Sequence, residues 1–154
     1  MAEYGIKQTF PDKVTDSSTT ALNGMGVLRF EGDKIYRYVK ASDALAARNF
    51  VSYVANAVVG TDDFIVVKAS ATVTAPAGVA VGTIAADSYG WIQIGGAAAC
   101  VGDGSVAAGE AVVSNGDGTL DTMAAGEEHE VIGFAREADA VTTLYVQIQL
   151  RGLV

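Results

Sequence analysis

The chain of 154 residues has one cysteine, one histidine and two prolines. A single Cys100 excludes an intramolecular disulfide, so the fold is not expected to depend on an oxidising compartment. His129 and Cys100 cannot between them fill a four-ligand zinc site, and no cofactor or metal is expected. No run approaches the roughly 18 apolar residues of a membrane-spanning helix. Met1 to Lys7 also lack the charged-then-apolar layout of a secretory leader, so no membrane partner is expected. Basic residues are scarce, 10 against 18 acidic, for a net charge of −8. A phosphate backbone would be repelled by such a chain unless a basic patch were concentrated somewhere, and none is visible, so no nucleic acid is expected.

The charge is also uneven. Residues 1–68 carry eight basic and eight acidic side chains, whereas residues 69–154 carry ten acidic ones against Arg136 and Arg151. One half is neutral and can dock; the other is acidic and suits solvent. The length fits one domain. Half of the residues are hydrophobic, much of that fraction Ala and Val, and 18 are glycine, a mixture that favours short strands and tight turns.

Residues 1–23 are polar and rich in Ser and Thr, with isolated apolar Tyr4, Ile6 and Phe10, and read as an extended N-terminal arm that orders against a partner and is dispensable for the fold, the alternative being a disordered tail or a plain edge strand. Residues 24–154 read as a single β-rich domain. Met25–Phe30 and Ile35–Lys40 alternate apolar and polar residues around the turn Glu31–Lys34. Further strands are expected at 64–67, 79–84, 90–94, 110–114, 130–134 and 143–150. Gly102-Asp103-Gly104 and Asn115-Gly116-Asp117-Gly118 supply hairpin turns.

Residues 42–58 are contested. Ser42 as an N-cap, followed by Ala44-Leu45-Ala46-Ala47-Arg48, has helix propensity. Against it stands an internal similarity of Leu45–Val51 to Val106–Val112, where Gly109 disfavours a helix by about 1 kcal/mol. Each copy follows an aromatic strand, Ile35–Val39 or Trp91–Ile94, and precedes a small-residue strand, Gly78–Ala86 or Val131–Ala138. Two passes through one β motif are expected, with turn plus strand at 45–53 and a small closed barrel or sandwich-like all-β fold.

No catalytic constellation emerges, and no enzyme is expected. His129 lies in the acidic turn Glu127-Glu128-His129-Glu130 and reads as solvated. Asn115, Asp117 and Asp121 offer oxygens to a calcium ion but lack a closing bidentate acid, so a plain hairpin is the better reading. Asp62-Asp63 and Glu127-Glu128 are adjacent acids that point apart. Gly24-Met25-Gly26 and Gly95-Gly96 lack the rest of a phosphate loop. Tyr89-Gly90-Trp91 could stack a sugar, but core or subunit-interface packing is the stronger reading.

Taken together, Tyr36–Ser42, Gly78–Ala86, Tyr89–Ile94 and Ala108–Val112 leading to Asn115–Gly118 resemble the head-decoration, or capsid cement, proteins of tailed bacteriophages. The resemblance implies a noncatalytic, commonly homotrimeric β-rich protein that binds the major capsid protein on the outer surface of the virion after synthesis in the host cytoplasm. Basic and apolar residues of the neutral half, namely Tyr4, Ile6, Lys7, Phe10, Lys13, Arg29 and Arg37, are then the candidate capsid contacts. Tyr89 and Trp91 are candidates for oligomer or core packing. The alternatives are a β-rich domain of a phage tail or fibre protein and a small carbohydrate-binding module.

Overall fold

Four copies of one tight turn recur along the chain: Ala46-Ala47-Arg48-Asn49, Ala85-Ala86-Asp87-Ser88, Ala107-Ala108-Gly109-Glu110 and Ala124-Ala125-Gly126-Glu127. The computed structural model describes residues 9–54, 63–72, 75–139 and 143–149. In it the third residue of each turn is left-handed, with φ of 74°, 58°, 86° and 98°. The fourth residue donates its N–H to the carbonyl of the first at 3.1–3.2 Å. In three of the turns its side chain also accepts the first N–H, at 2.9 Å from Asn49, 2.8 Å from Glu110 and 2.7 Å from Glu127. The Ala-rich stretch after Ser42 is one of these turns. Left-handed Arg48 is incompatible with continuing a helix, and the chain leaves it as a strand.

Among the described residues eleven strands follow in chain order: β1 (Ser17–Ser18), β2 (Leu28–Glu31), β3 (Lys34–Ala41), β4 (Phe50–Tyr53), β5 (Ile65–Lys68), β6 (Pro76–Ala80), β7 (Tyr89–Cys100), β8 (Ala111–Gly116), β9 (Thr119–Thr122), β10 (Gly133–Ala135) and β11 (Leu144–Gln149). The described residues contain no helix. Strands β3, β5, β4, β6 and β7 form a closed five-stranded barrel, since β7 pairs back onto β3; only β3 and β5 run parallel. Its interior holds Val39, Leu45, Val51, Val66, Ile84, Ile92 and Ile94.

The outer strands repeat that order, with β7, β9, β8, β10 and β11 in place of β3, β5, β4, β6 and β7. This second ring closes through a parallel bridge between Gly102 and Leu120. Leu120 donates to Val101 O at 2.9 Å and Asp103 donates to Leu120 O at 3.1 Å. Cys100, Val112, Leu120, Ile132, Leu144 and Val146 fill it.

Register makes the repeat explicit. Ala80 faces Ile92 and Val79 faces Gln93, as Ala135 faces Val146 and Phe134 faces Gln147. Arg48 donates to Ala80 O and Gly109 to Ala135 O, both at 2.8 Å. A Cβ on Gly78 or Gly133 would collide with the carbonyl oxygen of Gln93 or Gln147, so glycine lets β6 cross β7 and β10 cross β11 closely. One correspondence expected from sequence shifts. Trp91–Ile94 is the fifth strand of the first ring, matched by Tyr145–Ile148; the counterpart of β3 is the far end of β7, Ala97–Cys100. The aromatic residues drew the comparison to the wrong strand, because the true counterpart carries alanines.

The rings are fastened together by the β8–β9 hairpin. Gly118 O accepts Phe50 N–H at 2.8 Å, Gly118 N–H donates to Ala69 O at 3.1 Å, and Ser114 Oγ donates to Ser70 O at 2.7 Å. Phe50, Ala69 and Val79 belong to the second core despite preceding it in sequence. Residues 9–23 run along the outside of the first barrel, where β1 pairs with Tyr89 and Gly90 of β7. Residues 9–23 of the expected arm thus pack on the barrel, and residues 1–8 lie outside the described residues.

Two predictions follow from the turns. Nothing lies within 4 Å of a Cβ built on Gly109, so Gly109→Ala isolates the cost of a left-handed alanine. It is expected to lower stability by about 1 kcal/mol in denaturant unfolding. Secondly, the Glu110 carboxyl is held below the usual Glu range, first by the Ala107 N–H and then by the Thr122 hydroxyl. A depressed carboxylate stabilises fully above its unfolded value and loses that contribution as pH falls through the lower folded value. Melting temperature should therefore decline on acidification below about pH 4.3. Glu110→Gln, which keeps an acceptor without the charge, should make that decline shallower.

Candidate functional site

Strand alternation puts Val39, Ile92 and Ile94 inside the first barrel and Tyr36, Tyr38 and Trp91 on its outer face, where Tyr38 and Trp91 are cross-strand partners. An aromatic cluster on an outer face would ordinarily be exposed. Here Trp91 is 0% and Tyr38 1% exposed, because residues 10–23 lie across them. Phe10 meets Trp91 edge-on at 5.1 Å, and Trp91 meets Tyr38 at 5.0 Å. The Arg29 guanidinium sits over Phe10 at 5.0 Å and over Trp91 at 5.6 Å, within range of a cation–π attraction.

Asp12 ties this strap down. One carboxylate oxygen accepts the Trp91 Nε1–H at 2.6 Å, the other accepts Asn23 Nδ2–H at 2.8 Å, and the Asp12 carbonyl accepts Arg29 Nη1–H at 2.7 Å. Leu22 N–H donates to the Tyr38 hydroxyl at 3.1 Å. Burial pushes the Tyr36 and Tyr38 phenols above their ordinary value, so both stay neutral at physiological pH.

Phe10, Arg29, Tyr89 and Trp91 therefore come together, with Tyr89 stacked on Tyr38 at 6.3 Å. Lys13 is exposed beside them. Arg37 does not join them. It shares the parity of Ile35 and Val39, donates to the Tyr53 hydroxyl at 2.7 Å and lies over Phe64 at 5.6 Å, and its buried Nε has no hydrogen-bond partner. Arg29 is also committed, paired with Glu31 at 2.5 Å. Of the basic candidates that are described, Lys13 alone is open. Tyr4, Ile6 and Lys7 lie outside the described residues.

The exposed apolar side chains differ from those expected. Leu22, Met25 and Phe30, the last 67% exposed, all precede β3 in the neutral part of the chain. Asp12, Asn23, Tyr38 and Phe30 were missed by sequence reasoning. The signal for Asp12 was its place two residues after Phe10 in an otherwise polar stretch.

The remaining candidates are dispersed. The His129 side chain is largely exposed, 3.4 Å from Glu130. Asp117 forms an ion pair with Lys68 at 2.9 Å, whereas Asp121 accepts from Ser105 Oγ at 2.9 Å, so these two acids are engaged separately. Among the described residues no group of three or more His, Cys, Asp or Glu could hold a metal ion. Burial pushes the Cys100 thiol up to about 12, which leaves it unreactive as a nucleophile. Trp91, covered by Phe10 and bonded to Asp12, has no open face for a sugar.

No protein-family model matches the chain, and no curated protein matches it in sequence. Among solved structures it is similar to the N base of the head fibre gp8.5 of bacteriophage phi29, with a TM-score of 0.56 and 16% identity, over 75% of this chain and 94% of that one. At that identity the likeness establishes a shared fold.

The strap makes a direct prediction. Asp12→Ala leaves the buried Trp91 N–H without its acceptor and is expected to cost about 1–3 kcal/mol, with a red shift of tryptophan fluorescence if the strap lifts. His129→Ala should stay within about 0.5 kcal/mol of the parent. Equal stability of the two variants in denaturant unfolding would contradict the strap's role.

Proposed function

We propose that the chain is a structural virion protein that attaches to the outside of a phage head and cements the major capsid protein subunits, acting as a homotrimer. The observation that carries this reading is the fold. The two-barrel body is similar to a head-fibre base across nearly the whole of that chain. Charge and surface support it. Phe30, Leu22 and Met25 give the neutral part of the chain exposed apolar anchors, and Lys13 adds an open cation. The acidic second barrel would be repelled by an acidic capsid exterior and is suited to facing solvent.

A second reading is favoured by the same neighbour: the chain is the base of a fibre that projects from the head. Cement and fibre base differ in copy number and in consequence. Cement forms a regular array over the shell and raises the temperature at which heads release their contents, whereas a fibre base gives separate projections and leaves that temperature unchanged.

Cryo-imaging and thermal release of heads with and without the protein test the proposal. A regular array, a raised release temperature and a trimer by light scattering are expected. Phe30→Asp should weaken attachment about tenfold, the size of an interface anchor, while leaving folding within about 0.5 kcal/mol. Density confined to the tail, or no head binding at all, would overturn it.

A further inference from the structure

The two barrels share a frame but not a surface. The register that matches Ile92 to Val146 also matches Trp91 to Tyr145, Tyr38 to Ala99, Tyr36 to Ala97 and Val81 to Arg136. In the first barrel this face is closed by the strap. In the second it is open: Tyr145 is 45% exposed and Phe134 43% exposed. On this face Ala97, Arg136, Glu137 and Tyr145 line a cavity of about 350 Å³. Its lining residues are the counterparts of Tyr36, Val81, Gly82 and Trp91, the surface that Phe10, Asp12 and Val14 cover in the first barrel. Among the described residues the second barrel has no strap of its own. The chain entering its first strand is the first barrel itself, and among the described residues no segment lies over this face as residues 10–23 lie over the first.

We propose that this open face is a docking site for a short extended segment of a different polypeptide, carrying an aromatic side chain followed two residues later by a carboxylate. The aromatic group would fill the space above Ala97 that Tyr36 fills in the first barrel, with its edge or face against Tyr145. The carboxylate would meet Arg136, which makes no ion pair among the described residues. Charge favours a foreign segment over a second copy of this barrel. Residues 96–154 contain nine acidic side chains and only two basic ones, Arg136 and Arg151. A second acidic barrel would be repelled where a lone carboxylate is attracted.

Glu137 limits the length of the segment. In the first barrel the Thr15 carbonyl rests on Gly82, where any side chain would collide with it. Glu137 occupies that position in the second barrel, so the segment must leave the surface after about the equivalent of Val14. A basic residue directly after the carboxylate would then face Glu137. The order aromatic, acid, base is that of Phe10, Asp12 and Lys13 in the strap. This inference does not depend on whether the chain cements or bears a fibre.

The test uses the full chain and, as probe, a capped synthetic peptide with the sequence of residues 9–14, titrated by NMR. Saturable shifts are expected at Ala97, Arg136, Glu137 and Tyr145, with millimolar affinity. Arg136→Glu should weaken binding at least fivefold, and a peptide with serine in place of its phenylalanine should not bind. Both Arg136 and Tyr145 are exposed, so Tyr145→Ala at an unchanged melting temperature is the second variant, and it too should lose binding. Three results would overturn the proposal: no saturable shift, shifts confined to Tyr38 and Trp91, or loss of the free signals when the chain is concentrated alone. The last would assign the face to a second copy.

Discussion

Everything in this fold hangs on β7. Its 12 residues close the first ring against β3 with one end and open the second ring against β11 with the other. A strand that serves two rings cannot shift register in one without moving side chains from core to surface in both. Its alternation is accordingly kept through the change of partner. Ile92 and Ile94 enter the first core, Ala98 and Cys100 enter the second, and Gln93, buried between the two, donates to Gly95 O at 2.9 Å and Ala97 O at 3.0 Å. The Gln93 amide thus satisfies carbonyls at the point where β7 passes from one ring to the next. The β8–β9 hairpin then reaches back and puts Phe50 and Val79 of the first ring into the core of the second. Most contacts are therefore distant in sequence, an arrangement that couples the rings in stability and slows their folding.

Trp91 shows how the same strand governs the outer surface. A fully buried tryptophan outside both barrels is stable only if its indole N–H finds an acceptor, and Asp12 supplies one at 2.6 Å. Asp12 in turn needs Asn23 and Arg29, and Arg29 needs the β2–β3 hairpin. A segment that looks like a polar tail in composition is thereby made part of the barrel by one carboxylate. Of the basic residues that lend the N-terminal half its neutrality, Arg29 is taken up in this work, while Arg37 bonds Tyr53, Lys40 pairs with Asp87, Arg48 bonds Thr143 and Lys68 pairs with Asp117.

The sequence made the all-β class, the hairpin turns and the existence of an internal repeat legible, because Asn115–Gly118 and the Ala-Ala-x-x turns are local signals. It also resolved residues 45–53 against their helix propensity, since the copy at 106–112 contains Gly109 where Arg48 stands. What local pattern could not reveal was that the repeats overlap. Sharing a strand leaves no boundary in composition, and the most conspicuous residue, Trp91, sits in the last strand of one unit while resembling the first strand of the next. Arg37 and Phe10 mark the same limit. Inward or outward placement of a charged or aromatic side chain depends on register, and register here is set by pairings 50 or more residues apart, such as Tyr38 with Trp91.

The pattern of what differs between the two units carries more functional meaning than what they share. The shared positions, left-handed Arg48 and Gly109, Gly78 and Gly133, and the apolar residues facing inward, are those the barrel geometry demands. The outer positions have diverged as a set: two tyrosines became alanines, a valine became an arginine and a glycine became a glutamate, while the fifth strand kept an aromatic residue in place. Removing bulk from the floor while retaining the aromatic wall is not required for folding and leaves apolar surface in water, which disfavours it unless something covers the face. In the first unit the chain's own strap does so. In the second, the side chains that would have filled the space are replaced by alanines and the charges at its rim have no counterpart in the first, so this surface is not dictated by the barrel beneath it.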